Sequence, residues 1–109
     1  ILNNDLIAEA DVIVNSTPVG MQGITNEENF IPFGKNLWKA LSSKTIIYDL
    51  IYNPRQTELL KYGLKKNCIA IDGLDMLVAQ GAKSLSYWTE VEEVPIEIMK
   101  DALKNSLKI

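Results

Sequence analysis

The sequence predicts an α/β fold built on a short parallel sheet, and three observations carry the prediction. Apolar, largely β-branched runs stand at VIVN (12–15), TIIYDLI (45–51) and CIAI (68–71). They alternate with stretches of helical periodicity, an order that joins strands through crossovers and so makes them parallel. At 109 residues the chain has the length of one ordinary domain with a single core.

Taken in order, NDLIAEA (4–10) predicts a short helix with Leu6 and Ile7 inward, followed by the first strand. STPVGMQGITNEENFIPFG, rich in Pro, Gly and Asn, then reads as a long loop. Residues 35–42 suit a brief helix around Leu37 and Trp38, and 45–51 suits a central strand covered on both faces. In YNPRQTELLKYGLKKN, Asn53 can cap and Pro54 can open a helix that ends near Asn67, with Leu59, Leu60 and Leu64 on one face. The third strand leads into a helix over 73–89. Its broad apolar face comprises Leu74, Leu77, Val78, Gly81, Leu85 and Trp88, with Asp75, Ala79, Ala82 and Ser86 outside. Pro95 begins a last amphipathic helix with Ile96, Met99, Leu103 and Leu107 inward.

Composition narrows the function. A hydrophobic share of 47%, a charged share of 23% and a net charge of −3 describe a globular protein without the massed basic charge of a nucleic-acid or membrane-surface binder. No apolar run approaches the roughly 20 residues of a transmembrane helix, and the start lacks the pattern of a signal peptide, so the expected location is cytoplasmic. The sequence contains no histidine, which removes the usual general base and zinc ligand; no metal site is expected. The single cysteine, Cys68, reads as a small buried residue. The chain opens with Ile within a helical pattern, which reads as a piece of a longer protein.

In sheets of this class ligands bind beyond the carboxyl ends of the strands. After the first strand, Asn15, Ser16 and Thr17 offer hydrogen bonds while Pro18 and Gly20 shape a tight loop; taken alone, NST reads as a turn that ends the strand. After the second, Asp49 requires a partner if buried, and Tyr52 reads equally as a ligand contact and as a half-buried lid. After the third, Gly73, Met76 and Gln80 form a narrow strip on the predicted helix, whose N-terminus offers free amides. On pattern alone Gln80 is a solvated rim residue. Three strands make about half of a nucleotide-binding sheet, and no G-x-G-x-x-G occurs.

ADVIVNSTPVGM, IIYDLIYNPRQTELL and DGLDMLVAQGAKSLSYWTE, in this order, resemble the C-terminal part of shikimate dehydrogenases. The resemblance runs from about Ala10 to the last helix. It implies a partial Rossmann-like three-layer domain that lacks its first βαβ half, from an enzyme interconverting 3-dehydroshikimate and shikimate with NADP in aromatic amino-acid biosynthesis. It further implies that Asn15, Ser16 and Thr17 border the cofactor, that Leu50, Gly73 and Met76 line the nicotinamide site, and that Tyr52 and Gln80 reach the substrate. The family's phosphate loop and its catalytic Lys and Asp have no counterpart among these residues, so no catalytic residue is assigned and the chain alone is expected to be inactive. The same resemblance admits a quinate/shikimate dehydrogenase. A non-catalytic interaction module with this fold is a further reading, and a truncated sheet is expected to self-associate.

Overall fold

A computed structural model describes residues 3–23, 31–32 and 38–108. Among them run α1 (Asn4–Glu9), β1 (Val12–Asn15), β2 (Ile46–Asp49), α2 (Glu58–Lys65), β3 (Ile69–Ile71), α3 (Leu74–Thr89) and α4 (Ile96–Leu107). The strands form one parallel sheet in the order β1-β2-β3, with Asn15 paired to Asp49 and Tyr48 to Ile71. The chain divides into two compact units, Ile1–Gly73 and Leu74–Ile109.

In the first unit, the alternation of strand side chains decides which face is covered. Ile13, Ile47 and Ala70 point to a core shared with Ile7 of α1, Leu59 and Leu60 of α2, and Trp38, Leu41 and Cys68. Each such large apolar side chain contributes about 1.5–3 kcal/mol when fully buried. Val12, Val14, Ile46, Tyr48, Ile69 and Ile71 occupy the opposite face. Four of these, Val12, Val14, Ile69 and Ile71, are exposed. The central strand is therefore deeply buried on one face, at Ile47 and Asp49, and only half-buried on the other, against the expectation of cover on both.

Several predicted boundaries and faces shift. Leu6 of α1 is exposed and Ile7 alone is buried. The second helix starts at Glu58, not Pro54, because Thr57 rather than Asn53 caps it: its Oγ1 accepts the Leu60 N–H at 3.3 Å. Its end is the one predicted. Asn67 takes the left-handed conformation (φ 62°), its N–H reaches the Leu64 carbonyl, and Cys68 N–H reaches that of Gly63. This is the Schellman arrangement, which satisfies carbonyls left free at a helix end. Leu64 is exposed rather than on the inner face. Cys68 is buried just before β3, its thiol directed to the Ser42 carbonyl at 3.2 Å. Burial pushes that thiol up, partly offset by the charge of Lys66. Of the predicted helix at 35–42, residues 35–37 lie outside the described residues; Trp38 is buried and its indole N–H donates to the Pro32 carbonyl.

The second unit pairs α3 with α4. In α3, Leu74, Val78 and Ala82 are buried and Trp88 is exposed, so the buried stripe is rotated toward Ala82 and away from the predicted end of the face. Gly81 leaves room for Met99 of α4: a β-carbon there would lie 3.7 Å from the Met99 Cε. Asp75 and Lys100 form an ion pair at 2.6 Å. No residue of α4 is fully buried, and Ile96, predicted inward, is exposed. No described helix is long and apolar enough to cross a membrane.

Candidate functional site

The carboxyl ends of the three strands meet through side chains that the sequence spaces far apart. At the end of β1, Asn15 is buried and its side chain is fully engaged. The amide donates to the Val19 carbonyl and to Asp49 Oδ1, each at 3.1 Å. Its Oδ1 accepts the Thr17 N–H at 3.1 Å and the Thr17 hydroxyl at 2.6 Å, and Thr17 Oγ1 in turn accepts the Val19 N–H. The strand thus ends in the side-chain-stabilised turn that NST alone suggests. A second turn closes behind it, with Met21 N–H on the Pro18 carbonyl and Gly20 at φ 105°, the value that favours glycine at the third position of a type II turn. Ser16 and Thr17 are exposed, and a cavity of ≈ 190 Å³ opens against them, with Val14, Pro32 and Trp38 on its walls.

At the end of β2, Asp49 has no exposed surface. Its carboxylate receives Asn15 and the Ile51 N–H on Oδ1 and the Thr57 hydroxyl on Oδ2, at 3.1, 3.1 and 2.7 Å. Burial raises its pKa above the ordinary aspartate value, and the bonds from Thr57, Ile51 and Asn15 pull it back. A carboxyl whose folded pKa lies above its unfolded one stabilises the fold fully below the unfolded pKa. That contribution is lost as pH rises through the folded pKa. Asp49→Asn cannot titrate, so its stability deficit against the wild-type chain is expected to shrink as pH rises from about 4. Urea denaturation of both chains from pH 4 to 7 measures it, and a deficit that grows over that range contradicts the raised pKa.

Leu50 is half-buried, and Tyr52 emerges 37% exposed. At the end of β3, Asp72 pairs with Arg55 at 2.9 Å, which ties the loop after β2 to the third strand. Gly73 follows, its N–H on the Ile51 carbonyl at 3.1 Å. That amide is therefore not one of the free donors expected at the helix start. A β-carbon on Gly73 would stand 2.0 Å from the Leu50 carbonyl oxygen, so only glycine fits.

Residues 15–17, 50–52 and 73 thus belong to one connected group in the first unit. Met76 and Gln80 lie in the second unit, on α3, both exposed; the Gln80 amide donates to the Leu77 carbonyl of its own helix at 2.9 Å. Sequence reasoning missed Thr57 and the Arg55–Asp72 pair. The threonine's signal was present in TELL, a capping residue directly before a helical run, but NP upstream offered a competing start. No group of metal-ligating side chains occurs among the described residues.

Comparison with known proteins gives a consistent result. Residues 73–104 match the family model described as Shikimate 5'-dehydrogenase C-terminal domain. A shikimate dehydrogenase (NADP(+)) of Prochlorococcus marinus (strain MIT 9312) is 62% identical over 98% of this chain and 39% of its own length. The crystal structure of a shikimate dehydrogenase in complex with NADP+ superposes with a TM-score of 0.78 at 37% identity, over 95% of this chain and 34% of that one. Quinate dehydrogenase from Corynebacterium glutamicum in complex with NAD gives 0.77 at 28% identity, over 94% and 33%. The chain therefore spans between a third and two-fifths of the relatives it matches. The α/β fold of three parallel strands is that of their Rossmann-like domains, and over nearly its whole length the chain is similar to the C-terminal part of shikimate dehydrogenases.

Proposed function

We propose that the chain supplies the distal part of the NADP-binding domain, with the terminal helices, of a shikimate dehydrogenase that reduces 3-dehydroshikimate to shikimate. The observation that carries this reading is the meeting of the three strand ends, where Gly73 packs against the Leu50 carbonyl and the Leu50 N–H reaches the Asn15 carbonyl. The residues suit the nicotinamide end of the cofactor: half-buried Leu50, with buried Gly73 packed against its carbonyl, offers an apolar side chain, and exposed Ser16 offers polarity. They do not suit its phosphates, since neither a glycine-rich phosphate loop nor a basic cluster is present.

Within the β1 loop, Asn15 and Thr17 spend their side chains on the turn, so Ser16 and the backbone face the cofactor while the other two shape its border. We assign Met76 to the nicotinamide as a soft apolar contact, and Tyr52 and Gln80 to the substrate's oxygen atoms. The cofactor, when bound, supplies the hydride; this chain's residues orient and exclude water, and none of them is assigned as the acid or base.

The 109-residue chain alone is expected to show no shikimate oxidation with NADP+ above the uncatalysed rate; measurable turnover followed at 340 nm would sink the reading. A quinate-directed enzyme is favoured by the nearly equal superposition on quinate dehydrogenase. Comparing rates on shikimate and quinate, in an enzyme that carries this segment, separates the two.

The exposed sheet face of Val12, Val14, Ile69 and Ile71 supports self-association of the chain, because parallel sheets are stable with both faces covered. Light scattering at high concentration is expected to give a dimer or larger mass, and a monomer mass overturns that expectation.

A further inference from the structure

We infer that Asp49 is a positioning residue, the common anchor that holds the loop after β1, the segment after β2 and Gly73 in one arrangement. The functional part of this inference rests on the reading of those segments as the cofactor wall; the anchor itself is a statement about geometry.

The carboxylate touches no solvent, yet three donors from separate stretches of chain converge on it: the Asn15 amide, the Ile51 N–H and the Thr57 hydroxyl. None of these groups carries a charge. Each bond leads onward. From Asn15 the constraint passes to Thr17, whose N–H and O–H both end on Asn15 Oδ1. Since the other Asn15 hydrogen is held by Val19, the side chain has no group left to offer a ligand and acts only as a relay.

From Ile51 the constraint passes to the third strand. The peptide N–H of this residue is fixed by Asp49, and its carbonyl receives the Gly73 N–H. Leu50 and Tyr52, the flanking residues assigned to cofactor and substrate, are set by the same two bonds. From Thr57 the anchor fixes the start of α2, whose Leu60 N–H the same hydroxyl accepts. Hydrogen bonds to an ionised acceptor are about twice as strong as neutral ones. The carboxylate therefore controls the wall without reaching the ligand.

A residue that merely stabilised the core would loosen every segment alike, whereas an anchor loosens its own contacts. The test compares the 109-residue wild-type chain with Asp49→Asn and, as a core control, Ile47→Val, by nitrogen-15 NMR without ligand. Asp49→Asn is expected to shift the Thr17 and Ile51 resonances and to cut hydrogen-exchange protection of the Ile51 and Gly73 amides by about tenfold relative to Ile13. Ile47→Val is expected to lower protection evenly. An Asp49→Asn spectrum unchanged at these positions, or an Ile47→Val variant with the same local pattern, overturns the anchor.

A pH profile decides the matter even where the amide variant does not fold. In the wild-type chain the Thr17 and Ile51 amides should titrate together with one shared midpoint; separate midpoints, or none, overturn the proposal.

Addition of millimolar NADP+ tests the cofactor reading separately. Wild-type Thr17, Leu50 and Gly73 resonances that ignore NADP+ remove the cofactor wall and leave the anchor standing on the ligand-free spectra. Where the wild-type resonances do respond, an equal response in Asp49→Asn overturns the positioning role.

Discussion

Gly73→Ala is expected to destabilise the chain by about 3 kcal/mol, the upper part of the range for overpacked positions. The new methyl would lie 2.0, 2.4 and 3.0 Å from the oxygen, carbon and α-carbon of Leu50. These are backbone atoms, so no side-chain rotation relieves the clash; the segment after β2 must move. That movement strains the Gly73–Ile51 hydrogen bond, which adds about 1 kcal/mol where it breaks. A loss of this size lowers the melting temperature by roughly 12 °C or more in a domain of about 100 residues. Gly81→Ala is the natural comparator. Its methyl meets only the Met99 Cε at 3.7 Å, an ordinary contact, and helix propensity favours alanine by up to about 1 kcal/mol. Urea midpoints for the two variants should therefore move in opposite directions or leave Gly81→Ala unchanged. A Gly73→Ala unfolding free energy within about 0.5 kcal/mol of wild type would contradict the close approach to Leu50.

Thr57→Val should come next in size, at about 3 kcal/mol. Valine has nearly the shape of threonine, so packing at this buried position is retained while two polar functions vanish. The helix loses its cap, typically about 1 kcal/mol. Asp49 also loses its shortest hydrogen bond, and bonds to charged groups contribute about 1.5–3 kcal/mol. Thr57→Ser keeps the hydroxyl and should remain close to wild type, less the small deletion of one methyl. Equal midpoints for Val and Ser would show that the methyl, not the hydroxyl, matters at this site.

The order of strands and helices was legible because it rests on local pattern. The runs at 12–15, 45–51 and 68–71 could form little else, and Asn67 marked a helix end through its tolerance of positive φ. The start of α2 was not legible in the same way. Asn53 and Thr57 are both good caps, and the choice between them was made by Asp49, eight residues from Thr57 in sequence and held to it by a hydrogen bond. Trp88 and Ala82 illustrate a related limit. A wheel weighs hydrophobicity, whereas burial in α3 also follows size, and small Ala82 is buried while bulky Trp88 is not.

The site residues divide along the same line. Their positions at strand ends followed from the fold class, and the fact that Asp49 would need a partner followed from its place in an apolar run. Its partner across the sheet did not, because the Asn15–Asp49 bond spans 34 residues. The steric reason for Gly73 was equally hidden: its sequence neighbours suggest a helix start, while the constraint comes from Leu50, in another strand-end segment.

Cys68 gives the molecule a built-in clock. The sequence holds one cysteine, and its thiol is buried against the Ser42 carbonyl, with burial holding it in the unreactive protonated form. A thiol reagent meets it only when the segment between α2 and β3 comes apart. The labelling rate under native conditions therefore counts openings of that segment directly, with no engineered probe and no competing thiol elsewhere in the chain.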